Sequence, residues 1–212
     1  MKTEELIVKL SNEQSKKTLQ PQAYYAYYLV AILIIYIVLV QFYLGLRSDL
    51  SSQLLRKSFL LEIFLLASIS LSGAIFSILS IYPDYYQKKI FIKIPNFLFV
   101  TIIVFIAAQL FLPIESLVLI TPNSHSIECS IYIAAVAVIP SFLIFNLIRK
   151  GAATNLKKAG FFVVLTTTSA SCITLRLAEN NDPAIHLLVW HYLPTLLFSC
   201  LGAIAGKYLL KW

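Results

Sequence analysis

Cys129 is the residue of this chain whose type and position best suit chemistry. It follows Ser126, Ile127 and Glu128 at the expected start of an apolar segment. The N-terminal end of a helix favours the thiolate, which is the nucleophile and the metal ligand. Glu128 beside it works against that. His125 lies four residues earlier, so one helical turn would put the two on one face as a metal pair for a soft ion. Two ligands do not close such a site. Cys172 and Cys200 read as small, buried core residues. A Cys129–Cys172 disulfide would require two helix ends to touch.

His186 and His191 are five residues apart. In an α-helix they point about 140° apart, which makes them a poor ligand pair and suggests two interface histidines. Glu62 sits one turn inside the end of an apolar segment, where its carboxylate is expected to snorkel outward. No G-x-S-x-G, H-E-x-x-H, Gly-rich phosphate loop or C-x-x-C occurs, so neither an enzyme nor a cofactor is expected.

These residues must be positioned by membrane helices. The chain has 212 residues, 59% hydrophobic and 13% charged, with a mean hydropathy of +0.81. Soluble domains carry about 25% charged residues. Crossing a bilayer takes roughly 20 mostly apolar residues. Six segments qualify: Tyr25–Leu46, Ser58–Tyr82, Phe97–Ile114, Cys129–Ile148, Ala159–Leu175 and Ile185–Lys207. They are continuous rather than alternating, which favours helices over a barrel. The expectation is an all-α membrane protein, a bundle of six transmembrane helices with both termini cytoplasmic. Residues 1–24 form a cytoplasmic segment with a short helix, and residues 25–212 the transmembrane domain. The polar first 23 residues argue against a cleaved signal peptide.

Orientation follows from charge. Of the 17 Lys and Arg residues, all but Arg47, Arg56, Lys57 and Arg176 fall in alternate gaps on one side. Lys and Arg beside spans are retained in the cytoplasm. The net charge of +7 is therefore mostly topology and lipid contact, and no direct nucleic-acid partner is expected. The inside surface comprises residues 1–24, the loops Pro83–Asn96 and Arg149–Lys158, and the C-terminal end. The outside surface comprises Arg47–Lys57, Glu115–Glu128 and Arg176–Ala184. Thr166, Thr167, Thr168, Ser169, Ser171 and Thr174 in the fifth segment suit a packed bundle position. Gly202 and Gly206 let a second helix approach closely, within the monomer or in a homo-oligomer. At the N-terminus, Thr3 caps a short helix with Glu4 and Glu5 in its first turn. Leu6, Ile7 and Leu10 form its apolar strip, which orders on a membrane or a partner.

With the spans in place, the sequence resembles the bacterial NrsF family of membrane anti-sigma factors. Met1–Ile7 resembles the family's opening helix. Gly45-Leu46-Arg47-Ser48-Asp49-Leu50 resembles its exit from span one, and Arg149-Lys150-Gly151-Ala152 its basic turn after span four. Asp182-Pro183, Trp190-His191-Tyr192, Gly202-Ala203 and the ending Gly206-Lys207-Tyr208-Leu209-Leu210-Lys211-Trp212 resemble its last span. The resemblance implies a bacterial inner-membrane protein that sequesters an extracytoplasmic-function sigma factor at the cytoplasmic face. An outside metal or redox stress would release it. Residues 1–20 and the inner loops are then expected to bind the sigma factor, with Leu6, Ile7 and Leu10 as the apolar anchor and Glu4 and Glu5 as the polar rim. The resemblance places a cysteine at the outer start of span four, which matches Cys129, the expected sensing thiol. The family's second thiol, in a His-Cys pair after span five, has no counterpart in Leu175-Arg176-Leu177-Ala178-Glu179-Asn180. A small multi-pass transporter or channel is the alternative from another class.

Overall fold

The computed structural model describes residues 4–5, 7–8, 21–82, 89–110, 126–151, 153–180 and 183–211, and no strand occurs among them. Long helices follow one another: α1 (Gln22–Leu44), α2 (Lys57–Leu79), α3 (Lys89–Gln109), α4 (Ser126–Ile148), α5 (Leu156–Ala178) and α6 (Ala184–Leu209). Each expected segment overlaps one of them. The largest shift is in α3, which already begins at Lys89 and carries Pro95 inside it. Residues 89–96 of the expected loop Pro83–Asn96 are therefore helical, despite their charge and proline.

Five of the helices, α1, α2, α4, α5 and α6, are long and apolar enough to cross a membrane. The apolar part of α3, Lys93–Gln109, is shorter. At 1.5 Å per residue it reaches about 25 Å, against a hydrocarbon core of about 30 Å. Helices form here because hydrocarbon leaves no other partner for backbone N–H and C=O groups. The ends are set locally. Gly45, with φ of 78°, stops α1 and donates its N–H to the Gln41 carbonyl; this left-handed conformation suits glycine. Asn155 caps α5 by accepting from the Lys158 N–H at 3.0 Å.

The bundle is organised around α5. Some 72% of its membrane window is buried, against 6% for α1. Its hydroxyls explain how so polar a helix sits at the centre. Thr166, Thr168 and Ser171 donate to carbonyls one turn back, Thr167 to Val163 and Val164, and Thr174 to Ser171. Ser70 of α2 donates to the Thr166 carbonyl at 3.1 Å, and Ser141 of α4 meets Thr167 at 2.6 Å. In lipid, small residues and interhelical hydrogen bonds drive such association.

Gly202 and Gly206 of α6 pack against Gly160 of α5. The small-residue pair thus serves contact within the monomer. By contrast, α1 buries only Tyr25 and Leu29 and leaves Phe42 and Tyr43 almost fully exposed. The apolar core has two halves. One, around Ile69, Ile106, Leu165 and Cys172, backs the polar site described next. The other, around Leu29, Ile81, Ile144 and Val163, lies toward the opposite end.

Candidate functional site

The first turn of α4, the last turn of α5 and the start of α6 meet at one end of the bundle. Cys129 is held there by α4 and is only 6% exposed. Its Sγ donates to Glu179 Oε1 at 3.3 Å. Glu179 caps the C-terminus of α5, with its N–H on the Leu175 carbonyl. His186 Nε2 stands 3.2 Å from Glu179 Oε1, and His191 Nε2 3.3 Å from Glu179 Oε2. One ligand atom from each of these four residues lies within 4.8 Å of the others.

The two histidines correct the sequence reading. Leu187–Tyr192 is wound as a π-helix, with the Leu193 N–H bonded back to the Leu188 carbonyl. In i→i+5 winding, five residues complete little more than one turn, so His186 and His191 come to one face. Their ring centroids are 5.2 Å apart. Pro194 supplies a local cause. It has no N–H to offer the Trp190 carbonyl in α register, and Ser130 Oγ of α4 donates there instead at 2.8 Å. A proline eight residues after a histidine, with a second histidine between, is the signal sequence reasoning missed.

His191 is 0% exposed, and neither of its ring nitrogens has a hydrogen-bond partner. Its contact with Glu179 has the distance of a hydrogen bond without the alignment, and Glu179 Oε2 is likewise unmatched. Burial alone would raise the Glu179 carboxyl, but the two imidazoles beside it pull it well below the usual carboxylate range.

One turn before Glu179, Arg176 is buried against Glu62. Nε donates to Oε1 at 2.9 Å and Nη2 to Oε2 at 3.0 Å. Tyr192, next to His191, donates its hydroxyl to Glu62 Oε1 at 2.6 Å. Glu62 does not snorkel outward as expected. Its carboxylate turns inward because a bidentate partner waits there, which pure chain reach does not reveal. Arg176, expected in an outer loop, is in the last turn of α5 and 2% exposed.

The Gly45–Leu50 motif docks on the same end. Arg47 is buried, pairs with Asp49 at 2.6 Å, and bonds through its N–H to the Leu177 carbonyl at 2.9 Å. The Arg47 guanidinium holds the Asp49 carboxyl well below its usual range, and Gln53 adds a hydrogen bond. The Arg47 and Arg176 guanidinium groups both stand over the Phe59 ring, 5.7 and 5.3 Å from its centre.

Other expected residues fall as follows. Cys129 is in the first turn of α4, at the helix start expected for it, and its thiol is buried and hydrogen-bonded to a carboxylate. All three cysteines are unbridged. Cys172 is buried against Thr195 at 3.3 Å, whereas Cys200 is exposed rather than in the core. His125 lies outside the described residues, as do Leu6 and Leu10. Glu4, Glu5 and Ile7 are helical and exposed, Ile7 at 60%. Lys157, Lys158 and Lys207 lie at the end of the bundle away from Cys129, since α5 starts where it is capped by Asn155 and finishes at Glu179.

A bundle that is all-helical among the described residues, with five helices long and apolar enough to cross a membrane and a polar cluster at one end, is that of a membrane protein. The family model NrsF, negative regulator of sigma F, matches residues 10–212, nearly the whole chain, and the chain belongs to this family. The family name makes it a negative regulator with a sigma factor as partner, and a regulator of that kind is not normally an enzyme. No curated protein and no solved structure matches it.

Proposed function

We propose that this protein is an inner-membrane anti-sigma factor of bacteria that crosses the membrane six times, with α3 as the short span and both termini in the cytoplasm. Residues 1–24 and the Lys-rich loops hold an extracytoplasmic-function sigma factor there. A metal or redox stress reaching the opposite end releases it. The observation that carries this reading is the family match over residues 10–212. Two further observations support it. The positive charge gathers away from Cys129, as positive-inside sorting requires. The exposed helical residues Glu4, Glu5 and Ile7 present a mixed apolar and acidic face that fits a partner. Release requires a two-state bundle in which the stimulus favours one state.

A pull-down of the full-length protein with an extracytoplasmic-function sigma factor of the same organism tests the partner. Leu6→Asp combined with Leu10→Asp is expected to weaken capture by about tenfold or more, the scale of losing one apolar anchor (about 1.4 kcal/mol). Unchanged capture would remove the N-terminal helix from the binding surface. The trigger is tested separately with a sigma-dependent reporter. Cys129→Ser is expected to abolish induction by metal and oxidant while repression persists, and a response equal to wild type would exclude the thiol.

A further inference from the structure

The geometry points to a four-ligand site for a single zinc-class divalent cation, formed by Cys129 Sγ, a Glu179 carboxylate oxygen and the Nε2 atoms of His186 and His191. Three observations carry it. The donor atoms converge within 4.8 Å, with contacts of 3.2–3.3 Å already made around the carboxylate. Tetrahedral bonds of 2.0–2.3 Å require donor separations of about 3.3–3.8 Å, so only small side-chain adjustments are needed. His191 is fully buried with both nitrogens unmatched, an arrangement that is unfavourable unless something satisfies it. The π-helical turn, held open by Pro194 and Ser130, brings the second imidazole to the site, and such bulges mark functional positions.

The donor set selects the ion. One sulfur, two imidazole nitrogens and one carboxylate oxygen suit Zn²⁺ and its tetrahedral analogues Co²⁺ and Cd²⁺, not Mg²⁺ or Ca²⁺. Charge also balances. Binding replaces the Cys129 thiol proton, which leaves to solvent, so a dication meets one thiolate, one carboxylate and two neutral imidazoles. A neutral complex is what a buried position tolerates. Glu179, with 19% of its side chain exposed, provides the way in. The carboxylate lies in the segment where the family resemblance suggested a second thiol. A lone thiol with a carboxylate cannot close a disulfide but can close a metal site. The ion would tie α4, the α5 end and α6 together, next to the Glu62–Arg176–Tyr192 cluster. This inference stands whether or not a sigma factor is the partner.

The test uses full-length Cys200→Ser protein in detergent, which removes the exposed thiol, stripped with chelator and titrated with Co²⁺. A thiolate-to-cobalt charge-transfer band saturating at one equivalent, and bleached by one equivalent of Zn²⁺, is expected. Cys129→Ser should abolish the band. His191→Gln and Glu179→Gln should each weaken Zn²⁺ binding by about tenfold or more, since three ligands then remain. Absence of the band in the Cys200→Ser protein overturns the site outright, with no dependence on how the other variants fold. Persistence of the band in Cys129→Ser, or unchanged Zn²⁺ affinity in both glutamine variants, overturns it equally.

Discussion

Arg176→Ala will cost the fold about 3–5 kcal/mol, the range for removing one member of a buried ion pair. The reason lies in what remains. Glu62 is 3% exposed, and the arginine supplies two of its hydrogen bonds. Without the guanidinium, a buried carboxylate keeps only the Tyr192 hydroxyl. Total stability of a fold is commonly about 5–15 kcal/mol, so this is a large fraction. A cavity of about 40 Å³ bordered by Gln53, Arg56, Ser58, Glu62 and Gln109 gives water some access and sets the loss toward the lower end. The paired variant Arg176→Met with Glu62→Gln removes both charges and leaves Tyr192 an acceptor, so it should recover more than half of the loss. Denaturant or thermal unfolding of the detergent-solubilised protein reads both values. A single variant within about 1 kcal/mol of wild type would mean that the pair holds nothing together.

The second large effect is expected at Gly160. A Cβ there would overlap the Gly202 carbonyl oxygen and stand 2.7 Å from Gly206 Cα and 2.9 Å from Gly206 N. All three atoms are backbone, so no rotamer change relieves the clash and α5 must move away from α6. Gly160→Ala is expected to lose about 2–3 kcal/mol, at the upper end of overpacking costs. Helix propensity alone would favour alanine by about 1 kcal/mol, so the sign of the change identifies the cause. Gly160→Leu should fail to accumulate as a monodisperse species. Fluorescence-detected size exclusion with a thermal ramp measures both, and an alanine variant melting at or above wild type would refute the close approach.

The elements were largely legible in the sequence. Uninterrupted apolar runs long enough to span a bilayer admit few conformations other than helix, so five of the six expected segments stand as membrane-length helices. The third was misplaced because Lys93 and Pro95 read as loop, whereas the backbone continues as helix through both. The threonines and serines of α5 were read as packed, and they are: Thr166, Thr167, Thr168, Ser171 and Thr174 each reach a carbonyl of their own helix, and Ser169 is buried without such a bond.

The site was legible only at Cys129. Its partners come from 50 to 62 positions away, and chain distance carries no information about which helix ends meet. Glu179 and Arg176 fell in the expected outer loop Arg176–Ala184, and Glu62 was expected to snorkel outward from its own segment, so nothing linked the three. The histidine pair was misread for a sharper reason: the 100° step of an α-helix was applied where the chain is wound as a π-helix. One inserted turn geometry changes two diverging rings into two converging ones.

By itself, then, the sequence determined the class, the helical elements, the charge asymmetry and the family resemblance, because hydropathy and charge act locally along the chain. The tertiary structure decided which polar groups face one another. Only the antiparallel packing of α4, α5 and α6, closed by glycine contacts and a π-helical turn, brings a thiol, a carboxylate and two imidazoles within bonding range. That convergence depends on contacts between residues far apart in sequence, which no local pattern encodes.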